Sequence, residues 1–229
     1  IPGLVRCRVM DGTADFTQGP AMTRAQAEQA VQAGIDLVGE RKARGYQIVA
    51  TGEMGIGNTT ASAAVACALL GLSPEEATGR GAGLSDAGLA RKRNAVARAL
   101  DINRPRADDP LDSLAKVGGF EIAAMTGAFL GGAEHRVPVV IDGVISAAAA
   151  LAAARIRPEA REFMLPSHMS REPAALRIME ELHFSPILHA DMALGEGAGA
   201  VALFPLLDMA LCVYRGTPTV DALGSGAYT

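Results

Sequence analysis

Along most of this chain, short apolar runs alternate with longer stretches in which apolar residues recur every three or four positions. Ala27, Ala30, Val31, Ile35, Leu37 and Val38 follow Thr23-Arg24-Ala25-Gln26, a sequence of capping-box form, and predict a first helix. Residues 46–50 then predict a strand and residues 59–70 a helix. A further helix is expected over about 86–100, followed by the polar, proline-bounded connection 103–110. Helical segments continue from 111 to about 133, broken near Gly118-Gly119. Strands over 137–141, 162–165 and 186–188 alternate with helices over 145–154, 172–182 and 198–214. Such alternation predicts an α/β fold, with a parallel sheet covered by helices on both faces. Ligands should gather at the carboxyl ends of the strands. Residues 137–154 are almost wholly apolar and just long enough to span a membrane. Asp142-Gly143 interrupt them and alanine dominates residues 147–154, so a buried strand, a turn and a helix describe them better.

Polar residues collect where those strands end. After the first strand comes Gly52-Glu53-Met54-Gly55-Ile56-Gly57-Asn58-Thr59-Thr60, a glycine loop leading into an alanine-rich helix. Its backbone N–H groups and the positive helix end suit an anion, and Asn58, Thr59 or Thr60 could cap the helix. Glu53 sets the loop apart from a simple phosphate cradle, because a carboxylate there must act on another part of the ligand. No lysine stands where the Walker pattern needs one, and the dinucleotide fingerprint fits poorly. Asp142-Gly143 follows the second strand, where Asp142 could either anchor a loop or touch ligand, and Ser167-His168-Met169-Ser170 the third. The fourth leads to Leu194-Gly195-Glu196-Gly197-Ala198-Gly199, again a carboxylate between glycines ahead of a helix. Another cluster, Gly79-Arg80-Gly81-Ala82-Gly83-Leu84, precedes the helix carrying Arg91-Lys92-Arg93. Two glycine loops, each with one glutamate, plus a basic helix make a site for an anionic sugar.

Composition narrows the class. The 229 residues can bury a sizeable core as one domain, or one domain with a small appendage. They are 49% hydrophobic but only 4% aromatic, with no Trp, so the core must be built from closely packed small aliphatic side chains. A net charge of −4 without a basic stripe argues against nucleic-acid binding. Cys7, Cys67 and Cys212 are scattered without metal spacing, which suggests a reducing cytosol. His135, His168, His183 and His189, with Asp191, form no convincing metal set. No Gly-x-Ser-x-Gly elbow points to a serine hydrolase. The first residues do not resemble a signal peptide, and a start at Ile1 suggests that an upstream part is missing.

The glycine loops, Val117-Gly118-Gly119-Phe120-Glu121-Ile122 and Val139-Val140-Ile141-Asp142-Gly143 occur together in one order. In that order they resemble the nicotinate-nucleotide–dimethylbenzimidazole phosphoribosyltransferase family, over nearly the whole chain from about Gly12 to Tyr214. The resemblance implies a Rossmann-like parallel sheet flanked by helices, 1–229 being one α/β catalytic domain equivalent to the C-terminal part of a longer enzyme. About 1–44 and the last helix would join a small helical subdomain. Nicotinate mononucleotide would be the donor and dimethylbenzimidazole the acceptor. Glu196 would accept the ring N–H proton of the incoming base. Glu53 would lie near the ribose and favour an oxocarbenium-like transition state. The 5′-phosphate would rest on backbone N–H groups around Gly55, Gly57, Gly81 and Gly83, with Lys92 as countercharge. Ser170 would help hold the nicotinate carboxylate, and Met54, Asn58, Thr59, Leu194, Gly195 and Gly197 would complete the substrate contacts. No metal or cofactor is implied, the leaving pyridinium being already activated. A cytoplasmic homodimer is expected, without membrane or nucleic-acid partners.

One departure stands out: Ala193 occupies a place where many relatives carry arginine, so an anion contact there would be lost or weakened. Met54 offers a flexible thioether that fits varied aromatic shapes, which leaves open adenine, a phenol or another benzimidazole as acceptor. Two other classes stay open on the residues alone: a nicotinate-nucleotide hydrolase and a phosphosugar-binding module without turnover.

Overall fold

The computed structural model describes residues 3–192 and 195–219. Three short parallel strands, β1 (Val49–Ala50), β2 (Val139–Ile141) and β3 (Met164–Pro166), form a sheet in the order β1-β2-β3. Val49 pairs with Val139 and Val139 with Met164, so the carboxyl ends of all three lie along one edge. Around the sheet are α1 (Arg24–Ala43), α2 (Asn58–Leu70), α3 (Pro74–Ala77), α4 (Asp86–Asn103) and α5 (Pro110–Val117). They are followed by α6 (Phe120–His135), α7 (Val144–Ile156), α8 (Pro173–Glu181) and α9 (Ala198–Gly216). The α/β class and the parallel sheet flanked by helices agree with the alternation in the sequence.

The helices begin where local chemistry allows. Thr23 Oγ1 accepts the Gln26 N–H (3.2 Å) while Gln26 Oε1 accepts the Thr23 N–H (2.9 Å), so the capping box that opens α1 is real. Proline occupies the first turn of α5 and α8, where its missing N–H costs nothing. α7 is the core helix. Alanine loses no side-chain entropy in a helix, and every residue from Val144 to Ala153 is buried, as expected of a helix apolar on all sides. The apolar 137–154 stretch is therefore β2, a turn and α7. α1 and α6 pack with their backbones nearly touching: a Cβ on Gly34 would strike Ala124 O, and one on Gly127 would strike Val31 O. With so few aromatic rings, close approach of small residues supplies the dispersion contacts that bulky side chains would otherwise make.

Several boundaries differ from expectation. The first strand is shorter than 46–50, and residues 162–163 belong to a 3₁₀ turn (Pro158–Phe163) ahead of β3. The strand expected over 186–188 is reduced to a single bridge between His168 and Leu188. Pro186 has no N–H to extend a ladder. α3 was not expected, although Ser73-Pro74-Glu75-Glu76 carries both a capping box and a first-turn proline. The N-cap of α2 is Gly57 in a left-handed conformation, not Asn58, Thr59 or Thr60, because the glycine loop enters the helix through a φ of +89°. α9 is long and apolar enough, by length and composition, to cross a membrane, and it exposes Val201, Met209, Val213 and Tyr214.

The α1–α6 contact makes a direct prediction. Gly127→Ala should lower stability by about 3 kcal/mol or more, since overpacking a rigid backbone contact costs at least that of a typical core overpacking. Gly12→Ala, where the added methyl meets open space, should stay within about 0.5 kcal/mol. Urea unfolding midpoints of the two variants check this.

Candidate functional site

The strand ends are tied together by a short polar network. After β1, the Thr51 N–H donates to Val140 O (3.1 Å), and its hydroxyl donates to the same oxygen (2.6 Å) and meets Ser146 Oγ. After β2, the Asp142 N–H donates to Ser146 Oγ (3.1 Å). The Asp142 carboxylate is buried and accepts the Gly197 N–H (3.1 Å) and the Ala200 N–H (3.0 Å) at the start of α9. A carboxylate at that end of a helix answers both unpaired donors and the positive dipole end. After β3, Ser167 Oγ donates to Ile141 O (2.6 Å) and lies 3.1 Å from His168 Nδ1, which is 4.0 Å from Asp142 Oδ1. A Cβ on Gly199 would collide with the His168 ring, so only glycine lets α9 sit this close.

Beside this network opens a cavity of about 650 Å³, lined by Glu53, Gly55, Asn58 and Thr59 from the first loop and Thr78 to Ala82 from the second. Its other wall includes Gly143, His168, Ser170, Arg171, Glu172 and Gly195. Glu53 Oε2 accepts the Gly55 N–H (2.8 Å) and a hydrogen bond from Asn58 Nδ2, so the loop orients its own carboxylate. The Glu121 carboxyl is pushed up chiefly by burial and further by the charge of Glu53. Lys92 is buried behind the second loop, donating to Thr59 Oγ1 (2.9 Å) and Gly79 O (3.0 Å). Burial lowers its pKa, while the Glu172 carboxylate 3.8 Å away acts in the opposite direction. The Gly81 N–H donates to Glu172 Oε1 (2.7 Å).

Not every residue singled out in the sequence reaches this cavity. Glu53, Gly55, Asn58, Thr59, Gly81, Ser170 and Gly195 line it. Lys92 lies just behind, held to Thr59. Gly57 accepts the Thr60 N–H at the start of α2, and the Gly83 N–H donates to Arg80 O (3.1 Å). Neither lines the cavity, and the side chain of Met54 is 74% exposed. Glu196 is exposed and outside the lining, but its backbone lies against the Glu53 loop: a Cβ on Gly52 would strike Gly197 and the Glu196 carbonyl carbon. Glu196 itself takes a left-handed φ of +59°, between Gly195 and Gly197, which do the same. Gly197 is buried under Asp142. Ala193 and Leu194 lie outside the described residues. Of the two roles open to Asp142, it anchors the loop.

Glu172 lines the cavity without having been singled out as a site residue, and Arg93, noted only as part of a basic helix, lines it too, whereas Glu121 lines a second cavity with Phe120 and Ala124. Nothing in their local spacing marks Glu172 as the partner of a lysine 80 positions earlier (172 − 92), since the fold alone brings them together. The free thiol of Cys67 is pushed up to about 12 by burial, so it is not a nucleophile at neutral pH. Among the described residues no group of three or more His, Cys, Asp or Glu side chains could hold a metal ion.

Comparison with known proteins gives one answer. A family model described as phosphoribosyltransferase matches residues 1–224. A nicotinate-nucleotide–dimethylbenzimidazole phosphoribosyltransferase of Ruminiclostridium cellulolyticum is 51% identical over 93% of this chain and 61% of its own length. The enzyme of the same name from Acetivibrio thermocellus is 49% identical over 96% of this chain and 62% of its own. The crystal structure of CobT from Thermus thermophilus superposes with a TM-score of 0.92 at 45% identity, covering 98% of this chain and 67% of that one. The chain thus spans less than two thirds of the length of these curated relatives.

The half-buried Glu121 carboxyl predicts a pH dependence of stability. Its folded pKa lies above the ordinary glutamate value, so the folded state holds more protons just above pH 4.5. Stability should therefore fall as pH rises from about 4.5 through the raised pKa. Glu121→Gln should remove that loss, gaining stability over the parent at pH 7 but not at pH 4. Urea midpoints at the two pH values check it.

Proposed function

The chain belongs to this phosphoribosyltransferase family, and from that premise we propose that it transfers the 5-phosphoribosyl group of nicotinate mononucleotide to dimethylbenzimidazole or a related aromatic base. The products are nicotinate and α-ribazole 5′-phosphate, used to build the nucleotide loop of cobalamin. The bond from the anomeric carbon to the pyridinium nitrogen breaks, and its electron pair neutralises the ring, so nicotinate leaves without a proton from a general acid. The unprotonated nitrogen of the base forms the new bond on the opposite face, which inverts the centre to the α-configuration. The other ring nitrogen loses its proton to the Glu196 carboxylate. Glu53, oriented by Gly55 and Asn58, supplies negative charge where the ribose becomes oxocarbenium-like.

The observation that carries this reading is the contact between the two glutamate loops. Gly52 and Gly197 touch backbone to backbone beside a cavity that Glu53 and Gly195 line. The loops carrying Glu53 and Glu196, 143 positions apart (196 − 53), are thereby neighbours, and we assign the buried Lys92, held by Thr59, as the countercharge of the phosphate. Gly55, Asn58, Thr59, Gly81, Ser170 and Gly195, which line the cavity, remain the proposed substrate contacts, with Leu194 outside the described residues. We place the enzyme in the cytoplasm as a homodimer acting on these small molecules, with no metal required.

Incubating the full-length protein with nicotinate mononucleotide, with and without dimethylbenzimidazole, tests this. Nicotinate release that depends on the base, together with an α-ribazole phosphate product by mass spectrometry, is expected. Release that ignores the base means a hydrolase, and binding without release means a phosphosugar-binding module. Glu196→Gln should slow turnover by about 100-fold, a typical loss for a general base, while nucleotide affinity changes little. A large affinity loss with near-normal turnover would refute its role.

A further inference from the structure

We infer that Asp142 is a positioning residue for Glu196, acting through the first turn of α9; this rests on the transfer reaction proposed above. The Gly197 N–H that Asp142 Oδ2 accepts belongs to the peptide unit joining Glu196 to Gly197. Fixing that plane fixes the Glu196 Cα–C bond, one of the two backbone bonds that set where its side chain leaves the backbone. The second oxygen, Oδ1, holds the Ala200 N–H one turn further on, so the carboxylate pins the loop to the helix at two points. From the other side the Gly52 backbone blocks movement toward the sheet.

The anchor is itself rigid. The Asp142 carboxylate is buried, and its backbone N–H is held by Ser146 Oγ, which meets the hydroxyl of Thr51. Thr51 lies two residues before Glu53. A single network therefore fixes the strand end that carries one glutamate and the helix start that carries the other. Glu196 also needs such support, because a left-handed backbone costs a non-glycine residue of order 1 kcal/mol. Strained residues held in this way concentrate at reacting sites. The titratable group facing Asp142 is His168, 4.0 Å away on the β3 side.

Asp142→Asn tests the assignment in the full-length protein, since it keeps the shape of the side chain but offers an N–H group to one of the two donors. Expected are a fall in kcat of about 100-fold, the scale of a misplaced reacting group, and a KM for nicotinate mononucleotide within about threefold of the parent. Amide exchange at Gly197 and Ala200 should quicken while α6 and α7 stay protected. A rise in KM with kcat preserved, or unchanged exchange at the two amides, overturns the proposal. Where Asp142→Asn does not fold, Ser146→Ala loosens the anchor from behind and should show the same split between kcat and KM in milder form. A parent protein that binds nicotinate mononucleotide but releases no nicotinate sinks the transfer reaction and this role with it. Exchange at Gly197 and Ala200 then still decides whether Asp142 holds the loop.

Discussion

The architecture hangs on a buried carboxylate that joins the end of the central strand to the start of the last helix. Asp142 is the first residue after β2, and its two oxygens take the Gly197 and Ala200 N–H groups. Charge-assisted hydrogen bonds of this kind contribute about 1.5–3 kcal/mol each, and a buried carboxylate without them would be strongly destabilising. α9 must therefore begin where it does. Because β1 and β3 flank β2, and Thr51 and Ser167 bond to β2 carbonyls, the other two loops are held to the same point.

Such convergence depends on small residues. Gly52, Gly197 and Gly199 allow backbone and ring atoms into places where any Cβ would collide. The same economy runs through α1, α6 and α7, where glycine and alanine replace the aromatic rings that a larger-grained core would use. Packing of this kind tolerates little displacement, because an interior already close-packed has no slack to absorb an added methyl. Rigidity at the strand ends and rigidity in the helical layers come from one compositional choice.

The helices were largely legible because their signals are local. A capping box, first-turn prolines and alanine runs mark α1, α5, α7 and α8 without reference to anything distant. Strands of two or three residues carry too little periodicity to fix their ends, and Pro186 removed the donor that a fourth would need. At the site, the glycine loops with Glu53 and Glu196 could be read from their order and from family resemblance. Glu172 could not, and anchoring was only one of two roles open to Asp142, since each is settled by a partner far away in sequence: Lys92 and the start of α9. Met54 and Gly83 look like cavity residues in a one-dimensional reading, yet the loops turn them elsewhere.

The two glycine loops are not empty cradles. The Gly55 amide is spoken for by Glu53 and the Gly81 amide by Glu172, while the Lys92 ammonium already has three oxygen neighbours. An incoming anion therefore does not fill a vacancy; it trades places with, or settles beside, carboxylates built into the wall. Such an exchange discriminates by valence. A doubly charged group gains more from a fixed cation than a singly charged one does, and so displaces a resident monoanion that a chloride or an acetate would leave in place. Under the proposed reaction, the wall's own carboxylates on the Gly55 and Gly81 amides are therefore the groups that a phosphate must displace or settle beside.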